Sequence, residues 1–166
     1  MASKVVSNTG PLMHLSEINL GKALNAFKDI FIAEEVKNEL ARNNIKLNNF
    51  KKIRIVNLKA KFKDVAEILI NKFSLGLGEA QSIALALQEK ADYFLTDDLD
   101  ARTVANAHNI EAHGTVGIIL RAFREGIINK EEAIKKSKEL YTKSSLFITR
   151  DLIEDIIKAI NEFECR

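Results

Sequence analysis

The chain has 166 residues, a net charge of +2 and one cysteine, Cys165. Hydrophobic residues make up 46% and charged residues 29%, which is the balance of an ordinary globular domain. We therefore predict a single domain over residues 1–166, with a C-terminal helical extension from about residue 130. A single cysteine excludes a disulfide framework, and no apolar run approaches the length of a membrane span. These features, with no signal peptide at the start, predict a cytoplasmic protein.

The basic residues are distributed unevenly along the chain. Residues 42–72 contain nine Lys or Arg and two acids, so the remainder carries a net charge of −5. A basic stripe of this kind binds phosphate backbones electrostatically, but it also serves as a solvated helix and loop face. Both interpretations stay open. Within the segment, Lys51, Lys52 and Arg54 are weak candidates for substrate contacts.

Short apolar runs and helical spacing alternate along the chain. Buried strands are predicted at residues 4–7, 29–33, 53–58, 92–96 and 110–112. Pro11 suits the first turn of the helix after the first strand, and residues 43–49 form a polar surface loop. The clearest helical spacing is that of Ala80, Ile83, Ala84 and Leu87, and that of Leu152, Ile153, Ile156, Ile157 and Ile160. Residues 130–145 are highly charged, and we predict a mobile connection to the last helix there.

This alternation predicts an α/β fold with a parallel sheet covered by helices on both faces. Ligand sites in such sheets form beyond the carboxyl ends of the strands, where strand order reverses. Asn8 and Thr9 follow the first strand, and Thr96, Asp97 and Asp98 end the fourth.

Four carboxylates are placed to converge at that edge of the sheet. Glu39 lies on the helix after the second strand, and Glu79 starts the helix before the fourth. Such a cluster favours a hard cation, Mg²⁺ or Mn²⁺, able to activate water for an attack on phosphate. Each acid also has a structural alternative. Asp97 or Asp98 can cap the next helix, Glu79 suits a helix start, and Glu39 fits the solvated face of a helix. Asp100 fits the first turn of that next helix.

The remaining polar residues give little indication of a particular reaction or ligand. Arg102, one turn after the acids, is placed either to contact a substrate phosphate or to hold a carboxylate in position. His14, His108 and His113 show no zinc-ligand spacing, which favours structural or surface roles. The segment Gly76-Leu77-Gly78 does not complete a dinucleotide-binding fingerprint.

Five segments resemble motifs of the PIN-domain family, in the family's order. Residues 5–12 resemble its opening, where an aspartate usually stands at the place of Asn8. Glu39 looks like the second acid, and residues 78–86 resemble the third acidic motif. Residues 95–98, followed by Ala101-Arg102, are similar to the fourth. Residues 113–119 look like a segment of a prokaryotic branch related to VapC-type toxin ribonucleases.

The resemblance implies a PIN-like three-layer fold, with a five-stranded parallel sheet of order 3-2-1-4-5 flanked by helices. It also implies a Mg²⁺- or Mn²⁺-dependent endoribonuclease acting on RNA, a homodimer, and the toxin role with a small antitoxin as partner. The implied catalytic residues are Glu39, Glu79, Asp97 and Asp98. The implied metal ligands are these four and Asn8, and the weaker substrate contacts are Thr9, Thr96 and Arg102.

Asn8 departs from the family pattern. An amide oxygen can ligate a cation, but it brings no negative charge. The departure predicts reduced activity or, alternatively, a PIN-like module that binds RNA or protein without catalysis. A third alternative is an oligomeric scaffold that uses the C-terminal helical segment.

Overall fold

The computed structural model of the chain describes residues 3–163, so Cys165 and the chain start lie outside the described part. Within it, strands and helices alternate as predicted. The strands are β1 Lys4–Ser7, β2 Asp29–Ile32, β3 Ile53–Ile55, β4 Tyr93–Leu95 and β5 Glu111–His113. The helices are α1 Thr9–Glu17, α2 Glu34–Arg42, α3 Ala60–Phe73, α4 Leu77–Gln88, α5 Leu99–Ala107, α6 Thr115–Arg124, α7 Lys130–Lys143 and α8 Arg150–Phe163. Short 3₁₀ turns occupy Gly21–Ala26 and Leu47–Asn49.

The five strands form one parallel sheet in the order β3-β2-β1-β4-β5. This confirms the α/β class, the strand order and the prediction that β1 and β4 are neighbours. Val5 and Val6 of β1 are fully buried. Burial on this scale follows from the position of β1, because a central parallel strand is covered by helices on both faces.

The prediction of buried strands is wrong for the two strands at the sheet edges. Arg54 and Ile55 of β3 are exposed, as is Glu111 of β5. An edge strand has a neighbour on one side only, so part of each residue stays in solvent. β3 is also shorter than predicted, because the Val56 amide makes a last bond to the Ile32 carbonyl (3.0 Å) and the chain then leaves the sheet.

The prediction of a mobile connection at residues 130–145 is also wrong. This segment forms α7, whose N-cap Asn129 accepts a hydrogen bond from the Glu132 amide at 2.9 Å. Ala133, Ser137 and Leu140 form its buried stripe. Two small residues and one leucine are enough to bury one face of a helix, but among so many charges they leave only a weak apolar signal.

Both predicted amphipathic helices form, and most of their predicted apolar faces are buried. α4 buries Ala80, Ile83 and Ala84, and α8 buries Ile153, Ile156 and Ile160. Leu87 and Ile157 are only partly buried, and the prediction is wrong for Leu152, which is 43% exposed. These side chains join the same hydrophobic core as the sheet. No helix within residues 3–163 is long and apolar enough to cross a membrane.

Candidate functional site

The candidate site lies where β1 and β4 end side by side. Ser7 is in register with Leu95, and the Asn8 amide donates to the Leu95 carbonyl at 2.8 Å. The Thr96 amide donates to the His113 carbonyl at 2.9 Å, which brings the end of β5 to the same edge. The parallel sheet therefore gathers the residues that follow three of its strands.

Asn8 is nearly fully buried and occupies the N-cap of α1. Its Oδ1 accepts from the Thr9 amide at 2.9 Å, and its Nδ2 donates to Thr96 Oγ1 at 3.3 Å. A backbone N–H can only donate, so the atom that faces Thr9 must be the oxygen. The amide thus stabilises the fold through both of its polar atoms, while Oδ1 keeps one lone pair for another donor or a cation.

Asp97 is the most strongly held acid at this edge, with a side chain that is only 10% exposed. Its Oδ1 accepts from the Thr115 amide at 2.7 Å. Its Oδ2 accepts from the Thr115 hydroxyl at 2.6 Å and lies 2.7 Å from His14 Nδ1. Because an ionised carboxylate only accepts, His14 Nδ1 carries the hydrogen of this contact.

These contacts keep Asp97 ionised. Burial by itself raises the pKa of the carboxyl group, but the hydrogen bonds from His14 and Thr115 outweigh it and hold the pKa below its ordinary value. Both lone pairs of Oδ2 are used, whereas Oδ1 has one left. Asp97 therefore presents a negative oxygen that can still bind a cation.

Asp98 has a different role from Asp97. It is exposed and forms the N-cap of α5, where its Oδ1 accepts from the Ala101 amide at 2.7 Å. Asp100 lies in the first turn of the same helix, as expected. Of the two adjacent acids that the sequence left unresolved, Asp97 is thus bound at the sheet edge and Asp98 caps a helix.

Glu39 reaches the same edge from α2. Its Oε2 accepts a hydrogen bond from the Thr9 hydroxyl. A Cβ added at Gly78 would lie 2.5 and 2.9 Å from the two Glu39 oxygens, so this carboxylate rests directly on the first turn of α4. Gly78 leaves room for it there, and the positive end of the helix dipole favours a negative group.

Glu79 is half-buried at the start of α4, next to the backbone that supports Glu39. One of its oxygens lies against the α-carbon of Gly76, where an added side chain would clash with it. Its carboxylate thus lies over the residue that precedes the helix. The absence of a side chain at Gly76 therefore makes space for Glu79, and its absence at Gly78 makes space for Glu39.

Contacts join five of the candidate residues, Glu39, Thr9, Asn8, Thr96 and Asp97, into one row, whereas no hydrogen bond within the described residues links the Glu79 side chain to it. Glu39 contacts Thr9, Asn8 contacts Thr96, and a Cβ at Gly10 would lie 3.7 Å from Asp97 Oδ2. Within residues 3–163, no three Asp, Glu, His or Cys side chains come close enough together to hold a metal ion.

The donor set of this row nevertheless fits Mg²⁺ or Mn²⁺. Its atoms are hard oxygens, and Mg²⁺ in proteins usually keeps several waters and binds through one or two carboxylates. Asn8, Glu39 and Asp97 would supply one neutral and two charged oxygens. The bare α-carbon of Gly78 leaves the Glu39 carboxylate the space that a side chain would fill.

The basic candidates lie elsewhere. Lys51 and Lys52 precede β3, and Arg54 pairs with Asp29, the first residue of β2, at 2.5 Å. In a parallel sheet these positions lie toward the amino ends of the strands, away from Asn8. Arg102, by contrast, is at the site, where its Nη2 donates to the Thr96 carbonyl at 3.3 Å.

Sequence reasoning missed His14 and Thr115 as partners of Asp97. Thr115 is the second residue after β5, so the rule that sites form just beyond strand ends could have selected it from the sequence. His14 follows Gly10 by one helical turn, on a helix that begins at the site, and a Cβ at Gly10 would lie 3.7 Å from its ring. A small residue followed four positions later by a histidine is therefore a weak sequence signal that the histidine faces the candidate site.

The comparisons with known proteins agree with this architecture. No curated protein matches the chain. A family model described as PIN domain matches residues 4–162, nearly the whole sequence. Members of this family are generally nucleases, and the strand order seen here is the one that the resemblance implied. The chain therefore belongs to the PIN-domain family and has a nuclease-type fold.

Proposed function

We propose that the chain is a PIN-type endoribonuclease that depends on Mg²⁺ or Mn²⁺ and whose activity is reduced by Asn8. The observation that carries the proposal is the row of oxygens at the carboxyl ends of β1 and β4, in which Asp97 is kept ionised. A bound divalent cation would activate water and offset the charge that develops on phosphate.

The chain's own residues supply positioning at this site. Thr9 orients Glu39 by donating to one of its oxygens, and Gly78 lets the carboxylate approach the start of α4. His14 and Thr115 restrain both oxygens of Asp97. Carboxylates restrained in this way are preorganised, so little reorganisation is needed when substrate arrives.

One observation favours the second candidate, a module that binds RNA or protein without catalysis. The Asn8 amide is satisfied within the protein by Thr9 and Thr96. It therefore needs no cation to be stable in its buried position.

The finer expectations of the resemblance stay predictions. They comprise the VapC-type branch, the toxin role, the small antitoxin and the homodimer. The cytoplasmic setting expected from composition and the single domain over residues 1–166 are also predictions.

The direct test is cleavage of mixed single-stranded RNA with Mn²⁺ at enzyme excess. We expect slow, metal-dependent cleavage that Glu39→Gln lowers about tenfold or more, because the amide removes a charge from the metal site. Glu34→Gln on the same helix is the matched control, since its half-exposed side chain pairs only weakly with Lys37, at 3.8 Å. Equal loss in both variants, or cleavage that persists in EDTA, would contradict the proposal.

A separate prediction concerns the basic segment 42–72. If it binds RNA, changing Lys51, Lys52 and Lys63 to Gln should weaken binding to all sequences alike. It should also reduce the salt dependence, by about 0.7 in the log–log slope for each lost phosphate contact with a single strand. Titrations at several salt concentrations measure both quantities. The control changes three exposed lysines of α7, Lys135, Lys138 and Lys143. An unchanged slope in the variant of residues 51, 52 and 63 would indicate that the segment is a solvated surface that does not bind RNA.

A further inference from the structure

A small cavity lies against one side of α6, and none of the residues in the candidate row lines it. Its volume of about 280 Å³ is just below the range of about 300–1,000 Å³ that is typical of ligand sites, so it suits a small ligand. Four lining residues recur at helical spacing on α6, namely Gly117, Leu120, Arg121 and Arg124. Phe27 and His113 complete the lining.

The polar part of this cavity consists of two arginines without acidic partners. Other arginines of the described chain pair with carboxylates: Arg42 with Glu35, Arg54 with Asp29 and Arg150 with Glu154. Arg121 and Arg124 form no ion pair within residues 3–163, and no acidic side chain of that range lines the cavity. Glu111, which lies 3.1 Å from His113 Nε2, is outside the lining. Two positive charges therefore border the same space without a compensating carboxylate.

Arg121 is already held in position by contacts within the protein. Its guanidinium carbon lies 5.0 Å from the centre of the Phe27 ring and 5.2 Å from that of Tyr93, and its Nη2 donates to Ser3 Oγ at 3.1 Å. Its Nε is buried and closed to a ligand, so a ligand would accept from the terminal nitrogens. A guanidinium fixed in this way is preorganised, and its terminal N–H groups match the oxygens of an anion.

The helix dipole accounts for only part of this arrangement. Arg121 and Arg124 lie in the last turn of α6, where positive charges are favourable for the helix alone. That role requires no open space beside the arginines. Gly117 keeps such space open, although a Cβ there would meet His113 Nδ1 at an ordinary contact distance of 3.5 Å. Alanine would thus fit and would favour the helix more than glycine does.

We propose that this cavity binds a small phosphate monoester. Its phosphate accepts hydrogen bonds from Arg121 and Arg124, and its organic body lies against Leu120 and the open backbone at Gly117. A phosphate monoester carries about 1.5 to 2 negative charges at neutral pH, so it matches two uncompensated arginines better than a carboxylate does. The proposal does not depend on the nuclease function, because the cavity and the candidate row share no residue.

The test is a calorimetric titration with phenyl phosphate, in EDTA so that no metal at the candidate row can bind the phosphate. We expect saturable binding that is tighter than that of inorganic phosphate, which lacks an organic body, and of benzoate, which carries one charge. Arg124→Gln should weaken binding by about tenfold or more, because it removes a charge-assisted hydrogen bond. Arg150→Gln is the matched control, since this exposed arginine of α8 does not line the cavity.

Two further variants locate the two parts of the ligand. Leu120→Ala should weaken the binding of phenyl phosphate but not that of inorganic phosphate, because only the first has a body that contacts Leu120. Arg102→Gln should leave the affinity for phenyl phosphate unchanged, since Arg102 lies at the candidate site and does not line this cavity. Thermal melts of each variant check that it folds.

Three results would overturn the proposal. The first is no saturable binding of phenyl phosphate, and the second is an equal loss of affinity in Arg124→Gln and Arg150→Gln. The third is a larger loss in Arg102→Gln than in Arg124→Gln, which would place the phosphate beside Asp97 instead. Benzoate binding as tightly as phenyl phosphate would contradict the assignment of a phosphate monoester. A chain that fails to cleave RNA but binds phenyl phosphate through Arg124 would support this site while contradicting the nuclease proposal.

Discussion

Changing Asp97 to Asn should destabilise the folded chain by about 1–3 kcal/mol and lower RNA cleavage by about 100-fold or more, whereas Asp98→Asn should have little effect on stability. Asp97 accepts from Thr115 twice and from His14. An Asn amide would place N–H groups against one or more of these donors. Asp98 only caps α5, and Asn is as good a cap as Asp.

Both variants replace a carboxylate with an amide, and they do so at adjacent residues, so each is a control for the other. Urea unfolding gives the free energy of unfolding, and the Mn²⁺ cleavage assay gives the activity. Equal destabilisation by both variants, or a larger effect of Asp98→Asn on cleavage, would show that Asp97 does not have the role assigned to it.

The same carboxyl group makes stability depend on pH in acid. Its pKa is lower in the fold than the ordinary value of 3.8, so the folded state releases the proton more readily than the unfolded state. The stabilisation is therefore complete well above pH 3.8 and is lost as the pH falls through the lowered folded pKa. The difference in unfolding free energy between the parent and Asp97→Asn should shrink over that range. A difference that stays constant there would contradict the lowered pKa.

Changing Asn8 to Asp should have the largest gain of function, on the order of tenfold or more in metal affinity, with a matching rise in cleavage. The substitution keeps size and shape and adds a negative charge beside Glu39 and Asp97. Neutral oxygen donors only partly offset the lost hydration of a divalent cation, so the added charge acts directly on affinity.

The surrounding contacts can accept this change. Oδ1 of the new Asp still receives the Thr9 amide, since that N–H is a fixed donor. The other oxygen faces the Thr96 hydroxyl, which can rotate its hydrogen toward it and still accept from the Asp98 amide. The variant should therefore fold.

Thermal melts with and without Mn²⁺ measure the effect. Without metal, Asn8→Asp should melt slightly below the parent, because a further carboxylate adds like-charge repulsion. With Mn²⁺ it should gain more than the parent, since a ligand that binds only the folded state raises apparent stability. Asn71→Asp is the control, because Asn71 is an exposed residue of α3, away from the candidate site. If Asn8→Asp shows no larger metal-dependent shift and no gain in cleavage, the module that binds without catalysis becomes the better description.

Local patterns in the sequence are sufficient to determine the fold class and the edge of the sheet at which the candidate site lies. Apolar runs alternating with helical spacing give the five strands and most of the helices. The spacing of apolar residues within a short segment already indicates whether it is a strand or a helix and which of its faces is buried. The rule that sites follow strand ends selects Asn8, Thr96 and Asp97 for the same reason. The strand order 3-2-1-4-5 came from the resemblance, since alternation alone leaves several doubly wound orders open.

The roles of individual side chains were decided only by the tertiary structure. Asp97 and Asp98 are neighbours with the same chemistry, and they differ because Thr115 and His14, distant in sequence, contact only the first. Glu39 meets Thr9 only once α2 has packed beside α1. Side-chain partners depend on which elements meet in space, and that information is absent from spacing along the chain.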